Sequence, residues 1–207
     1  GSRLGLYDSA IINHDGISLL TESGYTRVQL GDAVALIDRA AIGPDYLPAH
    51  AHADTLSFEL SLFGQRVIVN SGTSIYGETD ERHRQRGTNS HSTVMIDGEN
   101  SSEIWGGFRV ARRAKILKSF ELDDMDKITL SASHNGYHRL KGKPTHFRQW
   151  DFFNEHLILE DRIIGNGMHD IDVIFHLHPI INPQKTGINK VLLDVFGKKI
   201  SLVFESE

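Results

Sequence analysis

The 207-residue sequence is 39% apolar and 24% charged and contains no cysteine. That composition excludes wholesale disorder, collagen-like repeats and coiled coil, and with cysteine go disulfide frameworks, zinc fingers, iron–sulfur clusters and thiol catalysis. Net charge is −5 but uneven: residues 81–118 hold eight Lys/Arg against four acids, a local +4 that leaves −9 elsewhere. This pattern argues against a general nucleic-acid binder and suits a site that receives a discrete anion; the alternative is a solvated basic face.

Gly1-Ser2 reads as a cloning remnant with no signal peptide behind it, so the natural start is expected upstream. No apolar run approaches the roughly 20 residues needed to span a bilayer. Short apolar or alternating runs predict strands at 34–37, 56–63, 67–69 and 93–96, then at 147–153, 156–159, 172–177, 191–195 and 199–204. In 56–63, Leu56, Phe58, Leu60 and Leu62 share one face, while Ser57, Glu59 and Ser61 take the other. Gly64, Asp97-Gly98, Asn135-Gly136, Gly165-Asn166-Gly167 and Gly197 supply turns. Many short strands divided by such turns predict an all-β antiparallel sandwich or barrel, and one domain over 1–207. The polar stretch 71–90 is long for a connection inside a sandwich, which points to a functional or a disordered segment, and residues 78–90 within it fit a short helix or an ordered loop.

Chemistry concentrates at Pro48-Ala49-His50-Ala51-His52-Ala53-Asp54. In an extended segment His50, His52 and Asp54 point the same way, so two imidazoles and a carboxylate could bind a metal or relay protons. The bland alternative is a polar strand edge. Asn70-Ser71-Gly72-Thr73 and Ser90-His91-Ser92 sit at predicted strand ends, where a site would open. His176 and His178 read better as a packed or capping pair, and His14, His83, His134, His138, His146, His156 and His169 show no organising pattern. A cupin reading of His50, His52 and Glu59 fits poorly, because six residues separate His52 from Glu59 and the second cupin motif is absent.

Taken together, residues 48–113 resemble a known family. The stretch runs from Pro48–Asp54 through Leu56-Ser57-Phe58-Glu59, Gly64, Val69-Asn70-Ser71-Gly72-Thr73, Tyr76, Arg82 to Arg86 and Thr88. It continues with His91-Ser92-Thr93-Val94, Asp97-Gly98, Trp105-Gly106-Gly107-Phe108-Arg109 and Arg112-Arg113. This order is similar to the C-terminal β-sheet domain of the heparinase II/III family, bacterial lyases of heparin, heparan sulfate or alginate. The resemblance implies an antiparallel β-sandwich that pairs with an N-terminal (α/α) toroid outside these residues.

It also implies β-elimination on a uronate-containing acidic polysaccharide, in the periplasm or outside the cell. His50 is the implied catalytic residue, neutralising the substrate carboxylate. His52, Asn70 and His91 are the implied ligands of a structural zinc, with Asn70 standing where the family often has Asp. Tyr76, Arg82, Arg86 and Arg109 are substrate-binding candidates, since guanidinium pairs bidentately with planar anions. The family's catalytic tyrosine belongs to the toroid and Tyr76 does not replace it, so the isolated domain is expected to be inactive. The other reading is a non-catalytic carbohydrate-binding or scaffold module.

Overall fold

Alternating side chains in the first third of the chain build an antiparallel meander of five strands: β1 (Gly16–Leu20), β2 (Tyr25–Leu30), β3 (Ala33–Asp38), β4 (Phe58–Leu62) and β5 (Gln65–Ile68). A short helix, α1 (Asp80–Arg86), and the strands β6 (Val94–Ile96), β7 (Glu103–Trp105) and β8 (Arg109–Ala111) follow. A second sheet holds β9 (Ile116–Asp124), β10 (Lys127–His134), β11 (Thr145–Phe152) and β12 (Leu157–Ile164) in the order β12-β11-β10-β9. Then come β13 (Ile171–Val173), β14 (Gln184–Lys185), β15 (Lys190–Val195) and β16 (Lys198–Val203). β13 pairs with β6, β7 with β8, and β14 to β16 form a three-stranded sheet. The computed structural model describes residues 15–43, 48–124 and 126–206; Gly1, Ser2 and His14 lie outside them.

Register explains the core. Val28, Ala35, Leu60 and Ile68 form one cross-strand row of the first sheet, and Leu130, Trp150 and Leu159 form a row of the second. Because side chains alternate with period two, these rows and their neighbours Ile37, Phe58, Ile128 and Phe152 face one another across the sandwich. Leu193 and Val195 of β15 join the same core. Towards one rim the second sheet's inner face changes character: Ala132 stands opposite Arg148, Arg148 opposite Asp161, and His134 opposite His146. Thus the layer that is apolar in the middle turns ionic towards the segments that carry Leu56 and Ser92.

The all-β antiparallel sandwich expected from the sequence is the fold observed. Several elements were not anticipated, chiefly β1, β2, β9 and β10. In β10 small polar residues alternate with the core positions, and most of edge strand β9 is exposed, so neither reads as a strong apolar run. The segment predicted at 56–63 becomes a strand only from Phe58, since Leu56 takes a left-handed φ of 63°. The one at 156–159 extends to Ile164, and of 172–177 only the first residues pair regularly. The polar stretch 71–90 contains α1, capped by the Thr79 hydroxyl accepting from the Arg82 N–H. No helix among the described residues is long and apolar enough to cross a membrane.

Leu130 is fully buried, whereas Leu122 on the neighbouring strand is half exposed. Leu130→Ala should therefore cost about 2–5 kcal/mol, and Leu122→Ala should fall within about 0.5 kcal/mol of the parent. Urea unfolding of the two variants checks this, and equal losses would contradict the assignment of the inner face.

Candidate functional site at the sandwich rim

His50 ends a 3₁₀ turn at Pro48–His50, so the chain is not extended there and period-two alternation does not align His50 with His52 and Asp54. His50 is exposed, with its ring 6.0 Å from Tyr76 in an edge-on arrangement. His52 turns inward to meet His91, which opens the approach to β6: Nδ1 of His52 lies 3.3 Å from Nε2 of His91. Ligand atoms of His52, Asp54 and His91 all fall within 4.8 Å of one another. Bonds of about 2.0–2.1 Å to a tetrahedral zinc place two nitrogens about 3.3 Å apart, so the imidazole pair has the right spacing for one ion. Burial lowers both histidines to about 4, leaving their nitrogens free to act as donors. The residues fit a zinc ion.

Asn70 meets His91 at the ring nitrogen turned away from His52. Its Oδ1 accepts from His91 Nδ1–H at 2.9 Å and from the Gly72 N–H at 3.3 Å. Both oxygen lone pairs are thereby used, and the contact is to the ring nitrogen opposite the one facing His52. Asn70 fixes the orientation and tautomer of His91, and Asp54 takes the place in the cluster that the sequence reading gave to Asn70. The neutral amide explains the change: it can accept a ring N–H but brings no charge to hold a cation. Glu59 is paired with Arg66 at 2.6 Å on the sheet surface, which removes it from any metal role and with it the cupin reading.

The basic segment divides. Arg82 and Arg86 share the inner face of α1 and are fully buried. Arg82 bonds the Thr73 hydroxyl and the Ala49 carbonyl and lies 5.3 Å from the Tyr76 ring centre. Arg86 donates to the carbonyls of Ala51 (2.9 Å), Gly106 (3.2 Å), Gly107 (2.9 Å) and Arg109 (3.4 Å). Neither guanidinium is presented to a ligand from outside; irregular loops leave carbonyls that need donors, and these two arginines supply them. Arg109, by contrast, is exposed on β8. Gln85, on the same helical face, binds the Ser74 N–H at 2.7 Å and so pins the 73–74 loop. His176 donates to the Asn89 carbonyl at 2.9 Å, and His178 accepts from the Ile180 N–H, in keeping with a capping role.

Behind the rim is a set of residues without any motif. Arg148 is fully buried; its Nη1 donates to the carbonyls of Leu56 (3.0 Å) and Ser92 (2.8 Å) while Nε and Nη2 clasp Asp161 at 2.7 and 2.9 Å. The Gly136 N–H donates to His134 Nδ1, His134 Nε2 then faces His146 Nδ1, and His146 Nε2 faces Asp161 Oδ1. These partners assign both histidines as neutral Nε2–H tautomers. The signal that could have found them is parity: His146, Arg148, Trp150 and Phe152 alternate onto one face, and Leu157, Leu159 and Asp161 do so opposite. A cavity of about 270 Å³ beside His91 is lined by Tyr25, Asp38, His50, His52 and Asp54. Burial, then the Asp54 charge, push Asp38 well above the carboxylate range.

Comparison with known proteins follows this geometry. Residues 15–207 match the family model described as Heparinase II/III-like, C-terminal. In fold the chain is similar to the heparan sulfate lyase HepC from Pedobacter heparinus, at 22% identity over 89% of this chain and 28% of that one, with a TM-score of 0.68. A structure of heparinase III matches at 22% identity, 88% and 28% coverage and a TM-score of 0.68. The heparinase III BT4657 gene product gives 18%, 86%, 26% and 0.66. The chain spans less than a third of the length of each of these. Among curated proteins, none matches it.

The ionic cluster sets an acid limit on stability. Burial alone would raise Asp161, but the Arg148 charge and the hydrogen bonds from His146 and Arg148 outweigh it and hold the carboxyl far below its usual range. A carboxylate lowered in the folded state contributes stability that is complete above about pH 4 and is lost as pH falls further. His134 and His146, lowered first of all by burial, add a separate loss that begins below about pH 6.5. Asp161→Asn should cost about 3–5 kcal/mol at pH 7 and remove the carboxylate's share of the acid loss below about pH 4, while the histidine loss that begins below about pH 6.5 persists. Urea titrations from pH 3 to pH 7 test this; acid limbs that stay parallel in parent and variant would contradict it.

Proposed function

Since the chain belongs to the Heparinase II/III-like, C-terminal family, we propose that it is the β-sandwich part of a polysaccharide lyase acting on uronate-containing acidic glycans. The observation that carries this reading is the exposed His50 beside Tyr76, mounted on the same short segment as the half-buried His52 and Asp54. β-Elimination removes the proton α to the uronate carboxylate and expels the 4-linked sugar, leaving an unsaturated uronate. As the carbanion develops, charge moves onto the carboxylate, and a donor held there lowers the barrier. His50 is that donor, and Tyr76 shapes the approach to it. The proton itself goes to a base on an N-terminal toroid of the same protein. A periplasmic or secreted location accords with a polymeric acidic substrate.

Zinc is the proposed metal, held by His52, His91 and Asp54 with Asn70 orienting His91. Its contribution is structural: it fixes the segment that carries His50. Arg82 and Arg86 support the site by bonding the carbonyls of Ala49 and Ala51 on either side of His50. They act on the substrate through the loop they position.

In the full-length protein, His50→Ala should lower turnover by about 10²–10⁴-fold, and His178→Ala by much less. The ultraviolet absorbance of unsaturated uronate product, followed over a panel of acidic glycans, measures both. Equal losses with folding intact would remove His50 from the site, and absence of product on every glycan would favour the non-catalytic carbohydrate-binding module. The 207-residue chain alone should give no turnover.

Titration calorimetry with zinc chloride should give one equivalent for the parent chain and none for His52→Ala or Asp54→Ala. Asn70→Ala should keep the stoichiometry and lose about 10–100-fold in affinity, as expected of a residue that orients a ligand. Retention by Asp54→Ala with loss in Asn70→Ala would restore Asn70 as the ligand, and no binding by the parent would end the metal proposal.

A further inference from the structure

The chain has two tryptophans in opposite surroundings. Trp150 is 0% exposed in the core, whereas Trp105, at the end of β7, is 50% exposed. Near it in the fold are Phe108, 46% exposed, and Tyr76, 61% exposed. An indole left half in water forgoes stabilisation that burial would supply, which makes an exposed aromatic group of this size informative. The guanidinium carbon of Arg109 sits 4.5 Å over the Trp105 ring, within cation–π range. Among the described residues Arg109 has no ion-pair partner. Of the carboxylates close by, Glu103 is paired with Arg112 at 3.2 Å, and Glu78 approaches the turn at Gly106.

The hairpin is fixed relative to His50. Buried Arg86 binds the carbonyls of Gly106, Gly107 and Arg109 at the turn, and that of Ala51 next to His50. Gly107 packs so tightly on the Gly77 carbonyl that no side chain fits at position 107. Gly77 follows Tyr76, whose ring meets that of His50. An aromatic surface with a stacked, unpaired guanidinium is thus held on the rim that carries His50, by buried contacts on both sides.

We propose that Trp105 and Arg109 form a subsite for one anionic sugar residue of a glycan. The C–H face of the sugar ring lies against Trp105, and Arg109 pairs with its carboxylate or sulfate. Stacking on indole restrains the guanidinium plane, which leaves its N–H edge to meet the anion bidentately. The inference rests on the acidic-glycan reading above and adds where such a glycan is gripped next to His50. It gives Arg109 a partner in Trp105 and separates it from Arg82 and Arg86, whose charges are spent inside the protein.

The test uses the 207-residue chain, because the hairpin and its supports lie wholly within it. Acrylamide quenching of tryptophan fluorescence reports on Trp105, since Trp150 is shielded. The probes are a sulfated heparan hexasaccharide, its unsulfated heparosan counterpart and neutral maltohexaose. An acidic hexasaccharide should protect Trp105 from quenching, and maltohexaose should not. Trp105→Ala and Arg109→Ala, at exposed positions, should each weaken binding of the acidic hexasaccharide about 10-fold by titration calorimetry, which needs no tryptophan reporter, and Arg109→Lys by less. Preference for the sulfated or the unsulfated probe identifies the anion. Binding of an acidic probe that both variants retain in full would overturn the subsite and leave the acidic-glycan reading standing. No binding of any acidic probe by the parent chain would overturn the subsite, whereas the lyase reading stands or falls on the product assay of the full-length protein. A Trp105 already unquenchable in the full-length protein without glycan would also overturn it, assigning the hairpin to a protein contact instead.

Discussion

A single buried guanidinium joins the two layers of this protein and aims its rim. Arg148 extends from β11 of the second sheet to the carbonyls of Leu56 and Ser92, which belong to the segments leading into β4 and β6. Leu56 lies two residues beyond Asp54, and Ser92 directly follows His91, so one side chain sets the position of both halves of the His52–Asp54–His91 cluster. Removing an arginine from water costs several kcal/mol, and that cost is met only when charge and donors are all engaged. Here Asp161 takes two of the nitrogens, the loop carbonyls take the third, and the rings of Phe58 and Trp150 stand 5.8 and 5.9 Å away. The left-handed backbone of Leu56, an uncommon state for a branched residue, is maintained by this arrangement, with its N–H bonded to the Asp38 carbonyl at 3.1 Å.

The same economy governs the basic segment. Its charges are divided by depth: Arg82 and Arg86 face inward and, like Arg148 of the second sheet, satisfy carbonyls that the irregular loops would otherwise bury unpaired, while Arg109 remains outside. A chain that carries His50, Tyr76 and the β7–β8 hairpin on irregular loops needs such internal donors, because loops lack the ladder bonds that satisfy strands. Buried arginine is the scaffold, and the exposed arginine is what a ligand can meet. For the same reason the exposed His50 is held from beneath rather than by a strand of its own.

The sequence was most legible where side chains alternate strongly. Strands 34–37, 67–69, 93–96 and 191–195 were readable because apolar residues fill consecutive or alternate positions between Gly and Asp turns. β10 was harder to read, since Ser and Thr between its core residues soften the contrast. The charged face of α1 reads as a solvated helix until its neighbours are known: period 3.6 places Arg82, Gln85 and Arg86 together, but which face is inside depends on loops distant in sequence. His134 and His146 show no pattern along the chain because their partnership is a cross-strand pairing, a matter of register.

By itself, the sequence determined an all-β antiparallel sandwich, the family to which it belongs, and His50, His52 and His91 as the histidines of interest. Alternation and motif order are local properties, and they survive in one dimension. Only the tertiary structure brings Asp54 alongside His52 and His91 and sets Asn70 against the Nδ1 edge of His91, because those contacts depend on angles between three loops. The same is true of Arg86 and Arg109, which look alike in sequence yet lie on opposite sides of the protein's surface. What separates them is whether unpaired carbonyls converge on the guanidinium, and that is settled by packing.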